Sequence, residues 1–180
     1  MNVILLFLDG VGIGSADATL NPFFAGRLPY LRHLLGSHLP HRRFTSYRSD
    51  SVALGPVNAT LRVPGLPQSG TGQAAIFTGV NAPLLAGRHF GPYPPSALRP
   101  LIEAKNIFRR LLSLRKRVVF ANAFPEPFFA YVRSGTRRLT VTTLSCLMAG
   151  VPLLTAEDLR KDRALSADFT RSRWPELGHP

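Results

Sequence analysis

An α/β fold, with helices alternating around a parallel sheet, is what this sequence predicts, on three observations. A short apolar run, residues 3–8, stops at a carboxylate followed by glycines, Asp9-Gly10-Val11-Gly12. A buried parallel strand delivers a polar side chain to its carboxyl end in this way. A second run, Arg117-Val118-Val119-Phe120-Ala121-Asn122-Ala123, reads as another buried strand. Segments of helical spacing alternate with these runs, the arrangement of a sheet that binds ligands at its strand ends.

Taken in order, residues 2–8 read as a central strand and 10–14 as a glycine-rich turn. Residues 28–35 have helical apolar spacing and stop near Gly36. Residues 43–62 are punctuated by proline and glycine and read as loops and edge strands. In Pro67-Gln68-Ser69-Gly70-Thr71-Gly72-Gln73 a hydroxyl is flanked by Gly70 and Gly72, and a helix follows through Thr78, capped by Gly79. Free N–H groups at such a helix start favour an anion. Residues 81–95 form a long connection, a functional loop or lid rather than slack. Helices are expected at 96–104, 106–114, 140–149 (closed by Gly150) and 156–160, and the tail 171–180 adds no closing strand or helix.

A chain of 180 residues, 45% hydrophobic, has enough material for one core, so one domain is expected. No apolar run approaches the roughly 18–20 residues of a membrane span, and residues 3–8 lack the length and basic start of a signal peptide. A soluble, cytoplasmic protein with no membrane partner is the expectation. The single cysteine, Cys146, lies among Leu144, Leu147 and Met148 on an apolar helix face and reads as a buried thiol. The net charge of +12 comes mostly from scattered arginines, with short clusters at Arg42-Arg43, Arg115-Lys116-Arg117 and Arg137-Arg138. No nucleic-acid-binding motif accompanies them, so solvated faces are the expected reading and nucleic acid is not an expected partner. A basic fragment separated from an acidic partner segment is a further one.

The candidate chemistry is phosphoryl transfer to a serine. Divalent ions about 3.5–4 Å apart lower a hydroxyl's pKa and neutralise phosphate oxygens, and Asp9 and Ser69 would supply one edge of such a cage. Each residue also has a structural alternative. Asp9 caps its turn, Ser69 is a helix N-cap, and Thr71 and Gln73 either orient phosphate or stabilise the turn. Arg88 and His89 meet an anionic substrate from the long loop or serve the fold, and Asp168 caps the Thr170 region or lines a pocket. Gly10-x-Gly12-x-Gly14 fails as a dinucleotide fingerprint because Ser15 holds the third glycine position. The serine-hydrolase elbow fails at Pro67.

The segments Phe7-Leu8-Asp9-Gly10-Val11-Gly12 and Gly65-Leu66-Pro67-Gln68-Ser69-Gly70-Thr71-Gly72-Gln73 resemble the alkaline-phosphatase superfamily. The nearer branch contains cofactor-independent phosphoglycerate mutase and phosphopentomutase, and within it the metalloenzyme-domain proteins with a Pro-Gln-Ser-x-Thr-Gly-Gln turn. Residues 87–92, 119–123 and 165–170 extend the likeness over most of the chain. The resemblance implies a doubly wound α/β sheet and two divalent ions, zinc or manganese. It makes Asp9 a metal ligand, and Ser69 both a metal ligand and the phosphorylated nucleophile. It also places the remaining ligands in a carboxyl-terminal half, as an Asp with a nearby His, an Asp-His-Gly-like turn and a final His. None of His33, His38, His41, His89 and His179 forms an Asp-His pair, and Gln73 stands where a branch of the family has His.

The expectation is therefore that residues 1–180 are the amino-terminal part of a single metalloenzyme domain, its sheet incomplete at the C-terminus. The complete enzyme would be a metal-dependent, mutase-like phosphotransferase or phosphatase acting on a small phosphorylated substrate through a phosphoserine. This part would be inactive without the missing C-terminal half. A catalytically dead scaffold or partner-binding fragment of the same fold is the alternative.

Overall fold

The structure is a computed structural model and describes residues 2–35, 39–136, 138–168, 170, 172 and 174–177. The expected helix stop at Gly36, together with His38, Arg137, Phe169, Arg171, Arg173 and the last three residues with His179, lies outside the described residues. The chain divides into two compact units, Met1–Asn58 and Ala59–Pro180. Among the described residues the architecture is mixed α/β, mostly helical, with two small sheets.

In the first unit, Asn21 starts helix α1 (Pro22–Ala25). Its Oδ1 accepts from the Phe23 N–H at 3.1 Å while its Nδ2 donates to the Ser15 carbonyl at 2.7 Å. Helix α2 (Pro29–Leu35) also begins at a proline, where the missing N–H costs nothing. It turns Leu35 inward. Strands β1 (Tyr47–Arg48) and β2 (Ala53–Leu54) form a short antiparallel hairpin, closed by the Ser49 N–H on the Val52 carbonyl at 2.8 Å.

The strand expected at 2–8 is absent from this structure. Those residues belong to no ladder, and their side chains are exposed, Val3 by 78% and Ile4 by 93%. An all-apolar parallel strand needs neighbours on both edges and helices on both faces. The hairpin and two short helices of this unit supply neither.

The second unit is built around helix α3 (Ser69–Thr78). It packs on α4 (Ala82–Ala86), α5 (Arg99–Lys105) and α8 (Val141–Ala149). Ala74, Phe77, Ala82, Leu98, Ile102, Leu144 and Cys146 fill the core between them. A 3₁₀ turn, Ser96–Leu98, leads into α5, and α6 (Ile107–Ser113) follows directly. The joint is the fully buried Asn106, whose Nδ2 donates to the Ile102 carbonyl at 2.8 Å while its Oδ1 accepts from the Arg109 N–H at 3.0 Å. One side chain thus satisfies the end of one helix and the start of the next. Glycines at positive φ, Gly79 and Gly150, close α3 and α8 where the sequence places their ends.

The strand expected at 117–123 forms later, as β3 (Phe120–Phe124), and of its residues only Ala123 is buried. It pairs in parallel with β4 (Leu153–Thr155), and the intervening α7 (Glu126–Arg133) and α8 supply the crossover that parallel strands require. On its other edge the Ala123 N–H donates to the Leu165 carbonyl at 2.9 Å, and the Leu165 N–H to Ala121 at 2.7 Å. The strand expected to be buried is therefore flanked on both edges but only partly covered. Helix α9 (Ala156–Arg160) and Trp174 pack with Ala123 and Ala164 in a second apolar cluster.

Candidate functional site

Helix α3 begins where the sequence places it, and its start decides the role of Ser69. Gln68 is extended, at φ −130° and ψ 146°, and its carbonyl accepts the Gly72 N–H at 2.8 Å. Gln68 is therefore the N-cap, and it offers no side-chain cap. Ser69 is the first helical residue and half-buried, so the N-cap alternative for it does not hold. Gln73, also half-buried, stands one turn on, at the i+4 position that shares Ser69's face.

The loop of residues 87–95 is docked against this turn. The Thr71 N–H donates to the Phe90 carbonyl at 3.0 Å, and the Phe90 N–H returns a bond to Thr71 Oγ1 at 3.2 Å. Thr71 is wholly buried. Its hydroxyl braces the turn, the structural member of the two roles open for it. Gly70 and Gly91 make the approach possible. A Cβ on Gly70 would lie 2.3 Å from the Tyr93 carbonyl oxygen, and one on Gly91 would lie 2.8 Å from Gln68 Oε1. Not foreseen from the sequence is that the wall against Gly70 and Thr71 is backbone, of Phe90 and Tyr93. The available signal was the spacing of Gly70 and Gly91, two residues whose missing side chains have a common cause. Also not foreseen is α4, capped by Asn81 through the Leu84 N–H at 3.2 Å, which shortens the long connection.

The loop's two candidate ligands are engaged with the protein. The Arg88 guanidinium carbon lies 4.4 Å from the centroid of the Phe90 ring. His89 Nε2 donates to the Val63 carbonyl at 3.2 Å, pinning the loop to the segment before the turn. Its Nδ1 is buried with no hydrogen-bond partner. Asp168 accepts from Ser166 Oγ, which in turn accepts from Trp174 Nε1 at 2.8 Å, so the three side chains are tied together.

Asp9 belongs to the first unit and Ser69 to the second. At Asp9 the chain turns through Gly10, at φ +71°, and Asp9 Oδ1 accepts the Gly10 N–H at 2.9 Å, the turn-capping geometry that was its structural alternative. Among the described residues no three His, Cys, Asp or Glu side chains come together as a metal site requires. Zinc and manganese want four to six donors. The two side chains of Asp9 and Ser69 do not meet that need, and the described residues by themselves do not fit the two ions that the resemblance implies.

Burial pushes the Cys146 thiol up to about 12, which leaves it protonated and inert rather than nucleophilic. No described helix is long and apolar enough to cross a membrane. A scan against models of known protein families finds no match to the chain, and neither does a search of curated proteins or of solved structures.

Proposed function

We propose that Ser69 is the phosphoryl acceptor of a metal-dependent phosphotransferase or phosphatase of the alkaline-phosphatase type, mutase-like and cytoplasmic, to which this chain contributes the amino-terminal part. The observation that carries the reading is the placement of Ser69 at the first position of a ten-residue helix, its turn braced by the backbone of residues 90–93. In the reaction, a bond forms between Ser69 Oγ and phosphorus as the bond from phosphorus to the leaving oxygen breaks. The hydroxyl proton departs to a base, and the leaving oxygen takes up a proton. Water or an acceptor hydroxyl then attacks the phosphoserine and frees Ser69. Negative charge on the phosphate oxygens is favoured beside the N-terminus of α3.

Magnitudes decide how much of this the described residues supply. A helix N-terminus contributes about 0.3–2 kcal/mol to an anion, against the roughly 8–23 kcal/mol of barrier lowering that enzymes achieve. The reading therefore requires further groups, the missing metal donors among them, from a carboxyl-terminal half that would also complete a doubly wound sheet. The exposed apolar run at 3–8 supports this, since it has the composition of a central strand and no sheet around it. The catalytically dead scaffold is the second reading, favoured by the lack of a metal-binding group among the described residues.

The two readings separate on Ser69→Ala in the protein purified from its own cells, assayed with p-nitrophenyl phosphate and added manganese or zinc. Phosphotransfer predicts turnover that the substitution abolishes while the circular dichroism stays unchanged. Turnover retained by the variant would sink the nucleophile assignment, and no turnover in either protein would favour the scaffold.

A further inference from the structure

At the far end of α3, roughly 14 Å from Ser69 at 1.5 Å per residue, Thr78 borders a hollow of about 410 Å³ lined also by Ala104, Lys105, Arg109, Arg110 and Ser113. Asn106 joins α5 to α6 through its two bonds, and Lys105 on the one helix and the two arginines on the other line the hollow. The ion pairs found among the described residues engage Arg133, Arg160, Lys161 and Arg163, and none engages these three cations. Glu103 stands two positions from Lys105 on α5, a spacing that puts it on the opposite face.

A local structural cause for the charges has to be weighed first. Helices α3 and α5 end here, and Arg109 Nη2 donates to the Met148 carbonyl, in the last turn of α8, at 3.2 Å. Each helix end carries at most about half a negative charge, so three of them offset about half of three full positive charges. The hollow stays positive. Its hydroxyls do not add donors, because Thr78 Oγ1 donates to Ala74 at 2.7 Å and Ser113 Oγ to Arg110 at 2.8 Å. Recognition would fall to the ammonium of Lys105 and the guanidinium forks, which suit phosphate oxygens. Lys105, Arg109 and Arg110 are exposed, so the hollow is an open basin at the surface rather than an enclosed cavity, and it exceeds what a lone phosphate occupies.

We infer that this hollow binds the phosphate end of a small phosphorylated molecule. The inference rests on the second unit alone and is independent of the Ser69 reading. The test is calorimetric titration of the full chain with pyrophosphate at low and at raised salt, beside a short DNA duplex. Three further proteins are compared: Lys105→Gln with Arg110→Gln, the charge-matched control Arg160→Gln with Lys161→Gln, and Arg110→Lys alone. The expected result is salt-sensitive pyrophosphate binding that the first pair weakens by about tenfold or more. The control pair leaves it unchanged, and Arg110→Lys, which keeps the charge but not the fork, weakens it less than the first pair does. No binding by the unaltered chain, equal weakening in the control pair, or binding of DNA but not pyrophosphate would each overturn the inference.

Discussion

At Gly70 a methyl group would have to share space with the Tyr93 carbonyl, whereas at Gly72, two residues on, an added Cβ meets nothing within 4 Å. The same substitution should therefore act with opposite sign at the two sites. Gly70→Ala is expected to destabilise by about 1–3 kcal/mol, the usual cost of overpacking. Gly72→Ala should stabilise by up to about 1 kcal/mol through helix propensity. Denaturant midpoints measure both, and an equal shift at the two positions would mean that the loop does not rest on this turn. Asn106 carries a comparable burden. Asn106→Ala removes a buried cap from two helices at once and should cost about 2–3 kcal/mol. Cys146 is the contrasting case. With its thiol held up to about 12, it should react with a thiol reagent only on unfolding.

Among the elements, α9 shows what a complete cap does. Thr155 Oγ1 accepts from the Asp158 N–H at 3.3 Å, and Asp158 Oδ2 accepts from the Thr155 N–H at 2.9 Å, a reciprocal capping box. The Thr155 N–H, with Arg163 and the Thr155 hydroxyl, holds the Asp158 carboxyl down to about 2 from an ordinary 3.8. A folded-state pKa below the unfolded one adds stability that is fully present above about pH 4 and is lost as pH falls through about 2. The Asp158 carboxyl resonance should accordingly titrate near 2, and Thr155→Ala should move its midpoint upward while costing the helix about 1 kcal/mol. A midpoint near 3.8 in the unaltered chain would contradict the box.

The elements that were most legible in the sequence are those closed or opened by glycines. Helix α3 was marked by its glycines and α8 by Gly150, helices were also expected at 106–114 and 156–160, and each forms within a residue or two of its expected place. Helix α7 was missed because Pro125 and Pro127 hide the spacing of Phe128 and Val132, although proline is harmless in a first turn. The strand expected at 2–8 shows the opposite error. Composition identifies a run that would suit a sheet, but whether it joins one depends on neighbours that no local pattern encodes. Of the candidate site, the helix start was legible. The docking of residues 90–93 was not, because it is made by backbone atoms distant in sequence.

For the whole molecule, the exposed run from Val3 to Leu8 has a solution consequence. Uncovered apolar surface of this kind binds apolar dyes and promotes self-association. Ile4→Asp with Leu6→Asp should reduce both while leaving the melting of the second unit unchanged. A variant that instead melts the second unit would show that the run is not uncovered in solution.

The central claim is covalent, and phosphopeptide mapping tests it most directly. The protein would be isolated from its own cells under conditions that quench phosphatases, digested and read by mass spectrometry. The account predicts one phosphate on the peptide carrying Ser69, at the serine rather than at Thr71, and discharge of that phosphate when metal and acceptor are supplied. A peptide that never carries phosphate while the protein turns over a phosphate ester, or phosphate placed on Thr71, would contradict it.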